Sequence, residues 1–344
     1  MVGDNVPYDS FLLVSFGGPE GPDDVMPFLE NVLRGKNVPR ERMLEVAEHY
    51  SHFGGISPIN EQNLNLLAAI KSEFGASGVN LPVYWGNRNW NPMFADTLRQ
   101  MRDDGCKRTI AFFTSMFSCY SGCRQYRENI IAAREEVGPD APHVDKLRMG
   151  FNHPGFIEPM AENVRGATAS IGGDSSTPVL FTAHSIPNSM ADNCNYEKQL
   201  REACRLVAES AGAAQWRLVF QSRSGPPQQP WLEPDICDAI EELDDTQRLE
   251  KVVIVPIGFV SDHMEVMFDL DEEAAQLCEQ RGISMARSKT VGTHPRFVQM
   301  IRELVQERIG LATTRPALGE LGPWHDVCPA DCCLYSPTRP MVAR

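Results

Sequence analysis

Val179-Leu180-Phe181-Thr182-Ala183-His184-Ser185-Ile186-Pro187 is an apolar run that ends in a polar turn. Its β-branched and aromatic residues predict a strand over 179–182, buried on both faces as in parallel sheets. The amphipathic stretch 195–211 behind it predicts a helix, and 216–220 predicts the next strand. The same alternation runs outward in both directions. Strands are predicted at 11–16, 82–85, 109–113 and 252–257, with weaker ones at 147–151 and 283–286. Helices are predicted at 63–74, 91–102, 124–137, 234–243, 266–281 and 295–309. Strand–helix alternation of this kind defines an α/β fold with parallel sheets. In such folds ligands bind beyond the carboxyl ends of the strands.

Those strand ends occur in two matching sets. Ser15-Phe16-Gly17-Gly18-Pro19, Gly86-Asn87-Arg88-Asn89-Trp90 and Thr114-Ser115-Met116-Phe117-Ser118 close the front half. Thr182-Ala183-His184-Ser185, Gln221-Ser222-Arg223-Ser224-Gly225 and Gly258-Phe259-Val260-Ser261-Asp262-His263 close the back half in the same order. An internal duplication is therefore expected, with residues 1–140 and 141–311 as two halves facing a central cleft. The joint is placed near Gly138–Pro142. Residues 312–344, rich in Pro, Gly and Cys without helical period, form a loop-like tail.

The chain has 344 residues, which suits two domains. Lys and Arg number 32 against 46 Asp and Glu, a net charge of −14. That balance argues against a nucleic-acid partner. No stretch approaches the ~20 apolar residues of a membrane helix. The polar start, residues 1–9, does not read as a signal peptide, so a cytoplasmic protein with reduced thiols is expected. Of ten cysteines, Cys328, Cys332 and Cys333 crowd into six residues. In a reducing compartment, thiols so close read as a metal or iron–sulfur site, with three free thiols as the alternative.

His184 and Glu265 stand just after strands on opposite walls of the expected cleft. A turn histidine and a helix-start carboxylate would look the same locally. Glu265, Asp269 and Glu273 are spaced four apart and share one helical face. They read either as oxygen ligands that pass a divalent cation inward or as a solvated acidic face. Asp271 and Glu272, on other faces, favour the second reading. Two strong ligands make a poor permanent metal site but suit a metal in transit or proton removal from a substrate.

Four motifs, taken together and in order, resemble the ferrochelatase signature. They are Gly54-Gly55-Ile56-Ser57-Pro58-Ile59, Leu180–Pro187 followed by Tyr196, Gln221–Gly225 with Trp231-Leu232, and Gly258–Glu265. The resemblance spans roughly residues 11–309. It implies two Rossmann-like, chelatase-type domains clamping a porphyrin, and a lyase that inserts Fe²⁺ in haem biosynthesis. It also implies His184 and Glu265 as the metal-site pair, with Ser57 and Tyr126 at the porphyrin. Phe16, Trp90, Met116, Phe117, Phe259 and Met264 could supply apolar walls, or pack in the core. The expected partners are porphyrin, ferrous iron and a downstream haem-pathway enzyme, with the protein itself a monomer.

Membrane-associated members carry a long apolar lip before the Gly-Gly-x-Ser-Pro motif. Here residues 34–43 are short, polar and net basic, and cannot anchor a membrane surface. Their charges could pair with the four propionates of coproporphyrin III. Protoporphyrin IX, a cobalt or nickel chelatase activity, and a non-catalytic two-lobed binder are the alternatives. Members that use coproporphyrin often place an axial Tyr where Phe16 stands, and Phe cannot ligate iron. Some members also hold a [2Fe–2S] cluster on three C-terminal cysteines, here Cys328, Cys332 and Cys333. Their fourth ligand falls near Pro159, where this chain has no Cys.

Overall fold

The computed structural model describes residues 8–35, 38–226 and 228–335. The polar start up to residue 7, and Lys36 and Asn37 of the basic stretch, lie outside the described residues. The front sheet contains β1 (Ser10–Ser15), β2 (Val83–Asn87), β3 (Arg108–Phe113) and β4 (His143–Lys146), ordered β2-β1-β3-β4. The back sheet contains β5 (Val179–His184), β6 (Trp216–Gln221), β7 (Lys251–Val255) and β8 (Ser284–Arg287), ordered β6-β5-β7-β8. All pairings are parallel. The two orders are identical, so the duplication read from the strand ends holds at the level of topology.

Helices connect the strands: α1 (Pro22–Leu33), α2 (Arg40–His52), α3 (Ile59–Ser77), α4 (Phe94–Asp103) and α5 (Gln125–Val137) in front. Behind them come α6 (Pro154–Ser170), α7 (Asn188–Ala191), α8 (Tyr196–Ala211), α9 (Ile236–Gln247), α10 (Met264–Val266), α11 (Ala275–Arg281) and α12 (Pro295–Arg308). Wide π-helical turns at Tyr120–Arg124 and Met267–Ala274 follow the third strand of each half. Cys119 and His263, which cap the two corresponding segments, share almost the same backbone angles (φ −146°, ψ 177° and φ −147°, ψ 177°). The duplication therefore reaches into the loops.

Two expectations need correction. Residues 147–151 are not a strand; the fourth front strand is His143–Lys146, which pairs with β3 past the Gly138–Pro142 break. The longer helices α1, α2 and α6 lie outside the predicted ones; Pro27 and Pro159 interrupt the patterns of α1 and α6, and α2 takes up the end of the basic stretch 34–43. Interior prolines remove a helical hydrogen bond, but both segments are held by buried apolar faces.

The halves are not separate bodies. One core cluster includes Phe11 and Phe112 of the front sheet and Phe181 and Val253 of the back sheet. α12 returns to the front half, where Arg302 Nε meets Glu73 Oε1 of α3 at 2.7 Å. It also packs on α6 at Gly155, where a Cβ would stand 2.6 Å from Met300 Cβ. Only a glycine admits that approach. Met116 and Phe117, offered as apolar cleft walls, lie fully inside this core.

Candidate active site at the strand ends

His184 is the last residue of β5. Its Nδ1 lies 2.5 Å from the Ser185 carbonyl oxygen, and Tyr196 Oη donates to the His184 carbonyl at 3.1 Å. A carbonyl can only accept, so Nδ1 carries a proton, and in the neutral ring the lone pair is on Nε2. That Nε2 faces Glu265 Oε2 at 3.6 Å. The end of β5 and the three-residue α10, which follows the neighbouring strand β7, bring the two groups together at one edge of the back sheet, and not from opposite walls of the cleft as expected from sequence. The His184 side chain is 32% exposed and that of Glu265 50%, so both can meet a ligand.

The structure adds groups that the sequence reading had not assigned. His263 Nδ1 lies 3.9 Å from the same carboxylate oxygen, and burial pushes its pKa down. Tyr50 of α2 is buried close enough to feel the Glu265 charge; burial first, and then that charge, raise its pKa. His263 was inside the quoted motif, but only its backbone position as the cap of α10 turns it to Glu265.

Asp269 lies on the π-helical turn that continues from α10. Its Oδ2 accepts from Ser222 Oγ, and from Gln221 Nε2 at 3.1 Å. Burial pushes its pKa up to about 7, against the lowering effect of the Ser222 hydrogen bond. Glu273 is also raised, by burial and then by Asp235. The residue spacing of four falls slightly short of the wider π turn, so Glu265, Asp269 and Glu273 remain on nearly one side. The acidic residues off that row have partners of their own: Asp271 Oδ1 pairs with Arg287 Nε at 2.6 Å, and Glu272 with His52 at 3.4 Å.

Ser57 is buried, and its backbone N–H donates to Pro19 O at 2.9 Å. It packs against Gly18 at the end of β1, where a Cβ would sit 2.8 Å from Ser57 Cβ. Tyr126 is buried beside Phe94 and Phe113, and burial pushes its pKa up to about 12. Between it and Phe16 lies Arg88, its guanidinium carbon 5.5 Å from the Tyr126 ring centre and 5.8 Å from that of Phe16. Arg88 Nε donates to Asn129 Oδ1 at 2.8 Å, and no carboxylate among the described residues pairs with it. Burial lowers its pKa. An arginine at a strand end was visible in sequence, but not its lack of an acidic partner.

Phe16, Trp90 and Met264 form one apolar cluster with Val25, Phe28 and Tyr50, which joins α1 and α2 to α10 across the halves. Phe259 is partly buried against the back-half core. Of the basic stretch, Arg42 pairs with Glu45 at 2.7 Å and Arg34 with Asn31.

The tail is docked, not loose. Asn152 Nδ2 donates to Leu318 O at 3.0 Å and to Gly322 O at 2.9 Å, and Trp324 packs edge-on against Phe151. It also lies against the front half, where Arg124 Nη1 donates to Ala330 O at 2.8 Å and to Cys332 O at 2.9 Å. Cys328 and Cys332 converge there with His325, one donor atom of each lying within 4.8 Å of the others. Cys333 is buried, with its Sγ 3.5 Å from that of Cys332, and stays outside this set of three. The position near which the fourth ligand was expected, Pro159, is buried inside α6.

Two α/β lobes with a histidine and a carboxylate together at neighbouring strand ends of the back sheet, and no fixed metal shell around them among the described residues, fit a metal chelatase. The Ferrochelatase family matches residues 8–309 of this chain. A protein named ferrochelatase from Rhodopirellula baltica is 75% identical over 338 residues, covering 98% of this chain and 96% of that one. One named coproporphyrin III ferrochelatase from Streptomyces griseus is 49% identical over 364 residues, covering 99% and 97%. The structure described as SirB from Bacillus subtilis with Fe3+ shares the fold, with TM-score 0.55 at 13% identity over 88% of this chain and 98% of that one. The chain belongs to the ferrochelatase family, lyases that insert Fe²⁺ into a porphyrin. No described helix is long and apolar enough to cross a membrane.

Proposed function

We propose that this ferrochelatase acts on coproporphyrin III, a cytoplasmic, monomeric enzyme handing its product to a later haem-pathway enzyme. Inserting Fe²⁺ requires two pyrrole protons to leave and water to be stripped from the ion. The observation that carries the site assignment is the setting of His184: its Nδ1 lies against the Ser185 carbonyl, so in the neutral ring Nε2 is the nitrogen left to take a proton. Glu265, 3.6 Å away, offers the carboxylate that draws the ion from its water or stabilises the imidazolium. Asp269 and Glu273 extend this row as the iron approach, and Ser57 and Tyr126 contact the macrocycle. No permanent metal is held, because two ligands do not complete a shell.

Three observations support the four-propionate substrate. The Streptomyces griseus relative, 49% identical, bears the name coproporphyrin III ferrochelatase. The stretch 34–43 contains no apolar lip. Arg88 supplies a half-buried cation with no acidic partner among the described residues, beside Phe16 and Tyr126, and a propionate would complete it. Anaerobic turnover with Fe²⁺ should be clearly faster with coproporphyrin III than with protoporphyrin IX, followed by absorbance. Equal or faster turnover of protoporphyrin IX would overturn this choice.

Glu265→Gln keeps the shape but removes charge, and should lower turnover by about 100-fold or more. Asp269→Asn and Glu273→Gln should chiefly raise the apparent KM for iron, by about 3- to 30-fold, with kcat much less affected. Steady-state kinetics against iron at saturating porphyrin separates these outcomes. Unchanged iron dependence in both milder variants would remove the approach path.

A further inference from the structure

α2 of the front half lies against the π-helical turn Met267–Ala274 of the back half. The His49 ring stacks on that of Phe268, with ring centres 3.9 Å apart and planes 10° from parallel. One turn further along α2, His52 Nε2 meets Glu272 Oε1 at 3.4 Å. Tyr50, between them, is buried in one apolar cluster with Met264 of α10. Burial, and then the Arg42 charge, lower the pKa of His49, so at neutral pH its ring stacks as a neutral aromatic.

His49 and His52 are three apart on an α-helix and share a face. Phe268 and Glu272 are four apart on the wider π turn and share one too. Asp269 and Glu273 each follow by one residue. The row read as the iron approach therefore lies on the stripe next to the one that α2 holds.

We propose that His49 is a positioning residue for iron entry: its stack on Phe268 holds the π-helical turn so that Asp269 and Glu273 stay on the approach path. The π run is eight residues long, whereas this geometry occurs mostly as single turns inside α-helices. Its own hydrogen bonds do not select it, so contacts from outside have to. From the back half, Gln221 and Ser222 hold the Asp269 carboxylate. From the front half, His49 holds the adjacent side chain, Phe268, and so fixes the backbone from which Asp269 projects. Without the stack the run is held from one side only, and the two carboxylates lose their fixed place beside Glu265. The His52–Glu272 pair is more exposed and contributes less. The inference rests on the reading of Asp269 and Glu273 as the iron approach.

The test is hydrogen exchange of the full-length protein, with steady-state kinetics against iron at saturating porphyrin, for His49→Ala and His49→Phe. His49→Ala should speed amide exchange within 267–274 and raise the KM for iron by about 3- to 10-fold, the size of one aromatic pair, with kcat little changed. His49→Phe restores the stack without a metal-binding nitrogen, and should bring both readings back near their starting values. His52→Gln should move both less than His49→Ala does. Unchanged exchange in His49→Ala would overturn the proposal. So would a KM that stays raised in His49→Phe, which points instead to ligation of iron by His49 itself. Faster exchange with an unchanged KM would also overturn it. Asp269→Asn, measured alongside, locates that last failure: a raised KM there confines it to His49, and an unchanged one removes the approach path itself.

Discussion

His184→Ala is expected to lower iron insertion by about 100- to 10,000-fold, the range a positioned acid–base group contributes. The imidazole ends β5 with Nδ1 held on the Ser185 carbonyl and Nε2 turned to Glu265. Alanine removes the lone pair that can accept a pyrrole proton or meet the arriving ion. It should not unfold the chain, because the side chain is one-third exposed and its carbonyl keeps the Tyr196 hydrogen bond. Porphyrin affinity, read by fluorescence quenching, should change little, while anaerobic turnover falls. Near-normal turnover in this variant would remove His184 from the chemistry.

The second large effect concerns stability. Arg148 and Glu307 form a two-armed ion pair, Nε to Oε2 at 2.7 Å and Nη2 to Oε1 at 2.9 Å, with side chains 1% and 3% exposed. Arg148 Nη2 also donates to Pro316 O at 2.9 Å. One guanidinium thus joins the link between the halves, the end of α12 and the start of the tail. Arg148→Ala strands a buried carboxylate and should cost about 3–5 kcal/mol. Arg315 Nε, 3.6 Å from Glu307, limits the loss toward the lower end. The double change Arg148→Met with Glu307→Met should recover much of it, since no unpaired charge remains. Urea denaturation of the three proteins checks this; a single variant as stable as the double would show that the pair's burial is unimportant.

The sites read from sequence fared according to how local their signals were. His184 and Glu265 each end a strand or follow one closely, and parallel sheets put such positions at one edge. Asp269 and Glu273 stay in line with Glu265 because helical and π-helical turns differ little over four residues. Periodicity failed where a proline broke the pattern, at Pro27 and Pro159, because only the burial of the opposite face reveals those helices.

By itself the sequence determined the parallel α/β class and the duplicated order of strand ends. These follow from alternation and spacing, which are properties of neighbouring residues. The tertiary structure alone decided which ring nitrogen of His184 is free, because the Ser185 carbonyl had to be seen beside Nδ1. It alone showed that Arg88 is half-buried with no carboxylate against it among the described residues, and that Asp271 and Glu272 are paired with Arg287 and His52. It alone placed Cys123 and Cys328, more than half the chain apart, on the wall of one cavity. The physical reason is that hydrogen bonding, desolvation and ligand convergence depend on distance in space, which sheet order and the return of α12 and the tail set, and no spacing along the chain encodes it.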